Sequence, residues 1–220
     1  MPISKKNTRA HVAYQQIKQR ILTGKLTGSD RLRELEMSVL LGIGRTPVRE
    51  SLKRLEDEGL LTHEPRRGLV VTSLDQQAVS ELYAMREVLE GAAAGFAARH
   101  ATPAEIANME SILDEYGPNS DPVALNLDFH NSIYGAAHNR HLIRSLQSVS
   151  DTTYLLGRST LASRVRADLA QTEHRDILEA IRSGNADRAA EAARSHIRSA
   201  LLERLKLLRQ RQKKTGPAQA

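Results

Sequence analysis

The chain has 220 residues, enough for one large domain or two small ones, and 40 % of them are hydrophobic although only 3 % are aromatic. It contains no cysteine, which excludes a disulfide framework and a thiolate metal site. Its first residues lack the apolar core of a signal peptide, and its most apolar stretch, residues 88–98, is too short to span a bilayer. A core of Leu, Ile, Val and Ala suits packed helices, so these features predict a mainly α, soluble, cytoplasmic protein that does not contact a membrane.

The basic residues are concentrated in the first third of the chain. Residues 1–74 contain 14 Lys and Arg against 8 Asp and Glu, a net charge of +6, whereas residues 75–220 contain 18 of each kind. A basic segment joined to a neutral one is typical of a nucleic-acid reader attached to another domain. We therefore predict a DNA-binding domain over 1–74, an all-helical domain over 75–212 and a flexible tail over 213–220.

Three short helices are predicted in the basic segment. The periodicity of apolar residues predicts the first over 10–22 and the second over 34–41, and Gly42 stops the second. The third begins near Thr46, which we expect to be the N-cap, with Pro47 at the first helical position. Two short helices joined by a glycine turn indicate a helix-turn-helix.

The third helix has a basic face suited to DNA. The side chains that recur every fourth residue on this face are Arg45, Arg49 and Lys53. An arginine can donate to two acceptors of guanine at once, and a helix N-terminus attracts phosphate. Charges at helical spacing alone more often form a solvated surface. The preceding turn, the proline at the helix start and the local charge excess favour DNA recognition instead.

Two β-prone runs, over 60–64 and 69–72, surround a Pro/Gly turn and predict a β-hairpin. Arg66 and Arg67 lie at its tip, which suits a wing laid against the phosphate backbone or the minor groove. The alternative is a hairpin that only packs on the helices. The paired arginines favour the wing, and the fold class predicted for this region is a winged helix-turn-helix.

Residues 14–72 resemble the winged-helix domain of the GntR family of bacterial transcription regulators. The residues that carry the resemblance are Tyr14, Ile17, Ile21, Gly24, Gly28, Leu32, Glu34, Leu41-Gly42, Arg45-Thr46-Pro47-Val48-Arg49-Glu50, Leu52, Leu55, Glu58-Gly59-Leu60 and Gly68. The resemblance implies that Arg45, Thr46 and Arg49 contact operator DNA, as do wing-tip positions near Arg67 and Gly68. Gly44 stands where the family commonly has Ser or Thr, so we expect no side-chain contact there.

The rest of the chain has no hairpin signal and predicts an antiparallel bundle of six helices. Their expected spans are 76–99, 103–115, 122–138, 140–160, 165–183 and 186–211. Three histidines each share an apolar face of a different predicted helix: His130, His174 and His196. A single inward histidine is more often a hydrogen-bonded core residue than a ligand. Convergence on a divalent metal would account for all three together.

Asn126 precedes His130 by one helical turn and could supply a fourth ligand, whereas Asp128 should face away. The runs Asn126–His130, Glu173–Leu178 and Ser195–Ile197 resemble the FCD ligand-binding domain of the FadR subfamily, in its six-helix VanR-like branch. The resemblance implies a site of one Asp and three His, with Asn126 in the place of the Asp. It also implies a small carboxylate effector, and imidazole-rich sites suit Zn²⁺ or Ni²⁺.

Arg86 has two interpretations. It stands one turn before Glu90 on a predicted helix, so a structural pair with Glu90 is favoured. It could instead fix a carboxylate effector, since arginine suits bidentate recognition.

Three functions compete. The first is a ligand-responsive transcription regulator, by default a repressor, that binds a palindromic double-stranded operator as a homodimer; a regulator that responds to the metal itself is its close variant. The second is a metalloenzyme, which lacks an obvious acid or base beside the histidines, and we expect no catalytic residues. The third is a helical module that only dimerises.

Overall fold

The structure, a computed structural model, describes residues 8–28, 30–157 and 159–215, with side chains to residue 210. These residues form two compact units. The first comprises the chain up to Leu74 together with the later segment Ser150–Gly157. The second comprises Asp75–Val149 and the chain beyond residue 158.

The first unit is a winged helix-turn-helix, as predicted. Its elements are α1 Arg9–Leu22, α2 Glu34–Leu41, α3 Arg45–Asp57, β1 Leu61–Glu64 and β2 Gly68–Val71. The two strands pair antiparallel, with Leu61 opposite Val71. Gly42 ends α2 in the left-handed conformation, with φ 63°, which only glycine adopts without a steric cost. Val48, Leu52 and Leu55 of α3 are buried among residues of α1 and β1.

The start of α3 differs from the prediction. The helix begins at Arg45, and its N-cap is Gly44, which makes no side-chain capping hydrogen bond. Thr46 is therefore not the N-cap, and Pro47 occupies the third helical position. Proline is tolerated there because the first four N–H groups of a helix have no intrahelical partner. The sequence pattern was misleading because threonine is preferred over glycine at the N-cap for its side chain. Gly44 takes the N-cap position instead, because it is the residue with the extended backbone.

The second unit is all helical, as predicted. Its helices are α4 Gln76–His100, α5 Pro103–Asp114, α6 Pro122–Ala136, α7 Arg140–Thr153, α8 Arg164–Arg182 and α9 Ala186–Thr215. Local signals set several starts: Asp75 accepts a hydrogen bond from the Ala78 N–H at the start of α4, and Thr102 and Glu105 form a capping box on α5. The last turn of α9 includes residues 213–215, which we expected in the tail, and residues 216–220 lie outside the described residues.

Helix α7 ends seven residues earlier than predicted, and a short 3₁₀ turn, Tyr154–Leu156, follows it. Leu155 of this turn packs against the core of the first unit, and Asp151 forms an ion pair with Lys18 of α1. Lys18 also donates to the Tyr14 hydroxyl at 3.0 Å. The segment Ser150–Gly157 thus completes the first unit from a distant part of the sequence. A second 3₁₀ turn, Thr160–Ala162, lies against α8.

Helices α4 and α9 approach closely at Gly91. A Cβ atom there would lie 2.9 Å from Cγ of Arg194 and 3.3 Å from the carbonyl oxygen of Ala190. We expect Gly91→Leu to destabilise the protein by about 1–3 kcal/mol through overpacking. Gly135 is the matched control because it is helical and exposed, and a Cβ added there would meet no neighbour within 4 Å. Thermal unfolding should show Gly135→Leu at or above the wild type, since leucine favours helix over glycine. Equal losses would contradict the close approach.

Among the described residues, no helix has the length and apolar composition that crossing a membrane requires.

Candidate DNA-binding surface and histidine site

The predicted recognition residues of α3 all face solvent. Arg45, Thr46, Arg49 and Lys53 are exposed, while the apolar positions of the same helix are buried in the first unit. The helix is therefore amphipathic, and its polar face is accessible to a DNA groove. The four residues lie within a little over two helical turns, which matches the reach of a recognition helix into a few base pairs.

Arg49 is held by a residue that sequence reasoning did not assign to the site. Glu34, at the start of α2, accepts from Arg49 Nε at 2.8 Å and from Nη2 at 3.0 Å. This bond lowers the pKa of Glu34, so the carboxylate stays charged at neutral pH. The pair orients the guanidinium across the gap between α2 and α3. Glu34 was visible only as a matching family residue, since a contact between two helices has no local pattern.

The wing carries the predicted basic tip. Arg66 is exposed and has φ 66°, and Gly68 has φ 81°, so both lie in the left-handed region that a tight hairpin turn requires. Arg67 donates to Glu64 at 2.7 Å and to the Gly28 carbonyl at 3.0 Å. The Arg31 guanidinium comes within 3.4 Å of the Cβ position at Gly68. Arg31 is an additional cation beside the tip that the sequence analysis did not identify.

Lys53 provides a test of phosphate contact, because a lysine acts on DNA mainly as a point charge. We expect Lys53→Ala to weaken binding to operator and to unrelated DNA alike. The slope of log affinity against log salt should fall by about one for each half-site. Fluorescence anisotropy over a salt series measures both quantities. A loss confined to the operator would instead indicate that Lys53 reads a base.

The three predicted histidines meet in the second unit. His130 of α6, His174 of α8 and His196 of α9 are 6 %, 3 % and 3 % exposed, and their ligand atoms all lie within 4.8 Å of one another. The Nε2 atoms of His130 and His196 are 3.3 Å apart. His174 Nε2 is buried and has no hydrogen-bond partner within the described part of the chain. We call these three residues the histidine site.

Two glutamates contact the Nδ1 atoms of His130 and His196. Glu90 Oε2 lies 2.7 Å from Nδ1 of His130, and Glu173 Oε2 lies 2.7 Å from Nδ1 of His196. Each glutamate also pairs with a buried or partly buried arginine, Arg86 and Arg166, at 2.9 Å in both cases. Glu90, Glu173 and Arg166 were not predicted as site residues. These three residues are buried or partly buried through the packing of one helix against another, so no local pattern in the sequence marks them.

The electrostatics favour the charged form of Glu90 and the neutral forms of His174 and His196. Burial opposes ionisation of Glu90, but the charge of Arg86 and the interactions with His130 outweigh it, so the pKa of Glu90 is lowered. Burial, together with the neighbouring imidazoles, lowers the pKa of His174 and of His196 well below the ordinary value. The neutral form of histidine is the one that binds a metal, so His174 and His196 need little proton release to accept a cation.

The carboxylates lie on the Nδ1 side of two of the rings. His196 Nδ1 is hydrogen-bonded to Glu173, and His130 Nδ1 lies 2.7 Å from Glu90 Oε2, so the Nε2 atoms of the two rings face each other at 3.3 Å. In the tautomers with the proton on Nδ1, both Nε2 atoms are acceptors. Two such acceptors repel unless a cation or a proton lies between them. Nitrogens about 2.0–2.1 Å from a tetrahedral cation are about 3.3–3.4 Å apart, so the spacing fits a zinc-like ion. The carboxylate–histidine arrangement is that of metal ligands oriented from behind.

Asn126 lies beside this site. It lines a small recess together with His174 and Gln171, and the recess is partly open to solvent. The neighbouring Asp128 is exposed, as the helical geometry predicted. Arg86 makes the structural pair with Glu90. Together with the pair of Arg166 and Glu173, it forms two arginine–glutamate pairs around the histidines.

Comparison with known proteins agrees with this architecture. Residues 9–71 match the model for bacterial regulatory proteins of the gntR family, and residues 81–199 match the FCD domain. The chain is 30 % identical over 191 residues to the HTH-type transcriptional regulator YdhC of Bacillus subtilis, covering 84 % of each protein. It is 30 % identical over 185 residues to the Nta operon transcriptional regulator of Aminobacter aminovorans, covering 82 % of this chain and 87 % of that one.

The chain belongs to the gntR family. It is a DNA-binding transcription regulator with an FCD domain and not an enzyme, as the sequence predicted. A solved structure similar to this GntR regulator is McbR/YncC of E. coli, with a TM-score of 0.74, 18 % identity and coverage of 92 % of this chain and 99 % of that one. At this identity the likeness supports the fold alone.

Proposed function

We propose that this GntR regulator is a cytoplasmic homodimeric repressor that binds a palindromic operator. Its contacts to DNA would come from Arg45, Thr46, Arg49 and Lys53 of α3 and from Arg66, Arg67 and Gly68 of the wing. The observation that carries the proposal is the exposed basic face of α3, whose opposite face is buried. Two-fold symmetry of a dimer implies two-fold symmetry of its site.

The repressor role is supported by a relative. A protein of Paenarthrobacter nicotinovorans that is 30 % identical over 202 residues, covering 88 % of this chain and 89 % of that one, is named as the probable repressor of a D-xylose utilization operon. Repression also suits the architecture, because a dimer that occupies a palindrome can exclude other proteins from the same DNA.

We further propose that the histidine site holds a divalent cation, Zn²⁺ or Ni²⁺, with Asn126 as a fourth ligand through its amide oxygen. The support is the pair of facing Nε2 atoms and the unpartnered Nε2 of His174. A bound cation would supply a Lewis acid to which a small carboxylate effector can bind. The three histidines would hold the cation, with Glu90 and Glu173 beside two of the rings, and the residues of the recess would shape the space for a ligand. A direct contact between Arg86 and an effector stays a prediction.

The effector acts only if it prefers one state of the dimer. A regulator that responds to the metal itself is the second candidate, and the same histidine site favours it. The two are distinguished by zinc titration of operator binding without carboxylate, since a metal-responsive protein changes its affinity on zinc alone.

The experiment that tests the proposed function is selection of bound fragments from sheared genomic DNA of the source organism, with bulk DNA as competitor, followed by native mass spectrometry of the complex. We expect enrichment of a palindromic sequence and a complex of two chains with one duplex. No enriched fragment would refute operator binding, and a single chain per duplex would refute the dimer.

A further inference from the structure

The charges around the histidine site balance without a cation. Glu90 pairs with Arg86 and Glu173 pairs with Arg166, each at 2.9 Å, so the two carboxylates are already compensated. The imidazoles and the amide of Asn126 are neutral ligands. A divalent cation at this site would add two positive charges that none of these side chains offsets. Buried charge without compensation is costly, so the bound ligand has to supply the anions.

Arg166 gives independent evidence that the site favours an anion. The residue is 5 % exposed, and its Nη2 lies 2.9 Å from Glu173 Oε2. Its Nε and Nη1 are buried without a hydrogen-bond partner within the described residues. Its positive charge acts on His174 and His196. Unmet donors on a charged group cost more than those on a neutral one, and an anion near Arg166 would relieve that cost.

The recess beside the site indicates an organic ligand. Most of its wall is carbon, contributed by Leu113, Pro122, Leu125 and Leu161. Polar atoms are few and come from side chains such as His174, Asn126 and Gln171. A wall of this kind gains from burying hydrocarbon, which an inorganic anion does not offer.

We propose that the effector of this regulator is a small organic dianion, a dicarboxylate, rather than a monocarboxylate. The inference rests on the proposed cation at the histidine site. The two carboxylates balance the two charges of the cation, while the carbon chain between them contacts the apolar wall. The unmet donors of Arg166 favour the second negative charge of the ligand near the site.

The experiment uses full-length protein stripped with chelator and reloaded with zinc, whose content is measured by elemental mass spectrometry. Isothermal titration calorimetry then compares malonate, succinate and glutarate, each against its own monoamide, which has nearly the same size and one charge fewer. We expect at least one dicarboxylate to bind ten-fold or more tightly than its monoamide. Monoamides that bind as well as every dicarboxylate, or no binding of any dicarboxylate, would overturn the inference. Inorganic phosphate that binds as tightly as the best dicarboxylate would overturn the organic part.

Two variants test the charge argument directly. Asn126→Asp adds one negative charge among the ligands, so the preference for dicarboxylate over monoamide should fall several-fold while zinc is retained. Asp128→Asn, an exposed change of one charge on the same helix, is the control and should keep the wild-type preference. An unchanged preference in Asn126→Asp contradicts the charge balance. A wild-type protein that retains no zinc overturns the proposed cation, whereas zinc without dicarboxylate preference overturns only this inference.

Discussion

Arg49→Ala is expected to abolish specific operator binding and to leave the helical content and the oligomeric state unchanged. A good bidentate contact to a base contributes about 1–3 kcal/mol, or roughly 5- to 150-fold in affinity, at each half-site. The Arg49 side chain is 66 % exposed and its ion-pair partner Glu34 is 39 % exposed, so the loss of this pair should hardly change stability. Anisotropy with operator and with a scrambled duplex measures the specificity ratio, and circular dichroism measures the fold.

The matched control for Arg49→Ala is Arg182→Ala. Arg182 is also an exposed arginine in an ion pair, with Glu110 at 2.6 Å, but it lies on α8 in the second unit. Its removal subtracts the same charge and should leave the specificity ratio intact. If Arg49→Ala keeps the wild-type sequence preference, Arg49 does not read bases. If both variants lose affinity equally, the effect is one of net charge.

His174→Ala is expected to lower metal content and to remove the stabilisation that metal gives. At a free zinc concentration a hundredfold above the dissociation constant, the wild type should gain about 2.7 kcal/mol of unfolding free energy. The variant should gain far less, because one imidazole ligand is gone. The decisive quantity is the difference between melting with zinc and melting with chelator. The variant also loses packing at a buried position, which shifts both curves together.

His141→Ala controls for the loss of a histidine as such, since His141 is exposed on α7. It should retain the metal content and the zinc-dependent shift of the wild type. Equal metal per chain in His174→Ala and the wild type, measured by elemental mass spectrometry, would show that His174 is a core residue rather than a ligand. In that case the facing nitrogens of His130 and His196 would need a shared proton instead.

The sequence contained the information for the helices and the histidines, but not for the contacts between elements. Local periodicity marks which face of a helix turns inward, so the meeting of His130, His174 and His196 followed from three separate patterns. The carboxylates that orient them did not follow. Glu90 is separated from His130 by 40 positions, and its charge gave no reason to expect burial. The same holds for Glu34, whose role depends on the angle between two helices.

The errors had physical causes too. Thr46 outranks Gly44 as a capping residue, but backbone conformation rather than side-chain preference determined the start of α3. We predicted α7 to be too long because the residue types that follow Thr153 are compatible with a helix. Leu155 instead packs against the core of the first unit, a tertiary contact that overrides local preference.

A fragment ending at residue 74 would lack the Ser150–Gly157 segment of the first unit. Such a truncation removes Asp151, so that the nearest carboxylate to the Lys18 ammonium is that of Glu58 at 4.0 Å, and it uncovers the apolar surface under Leu155. Fusion proteins and reporters that contain the amino-terminal residues alone would therefore be less stable. A fusion that also includes the Ser150–Gly157 segment would keep the contacts that this segment makes with the first unit.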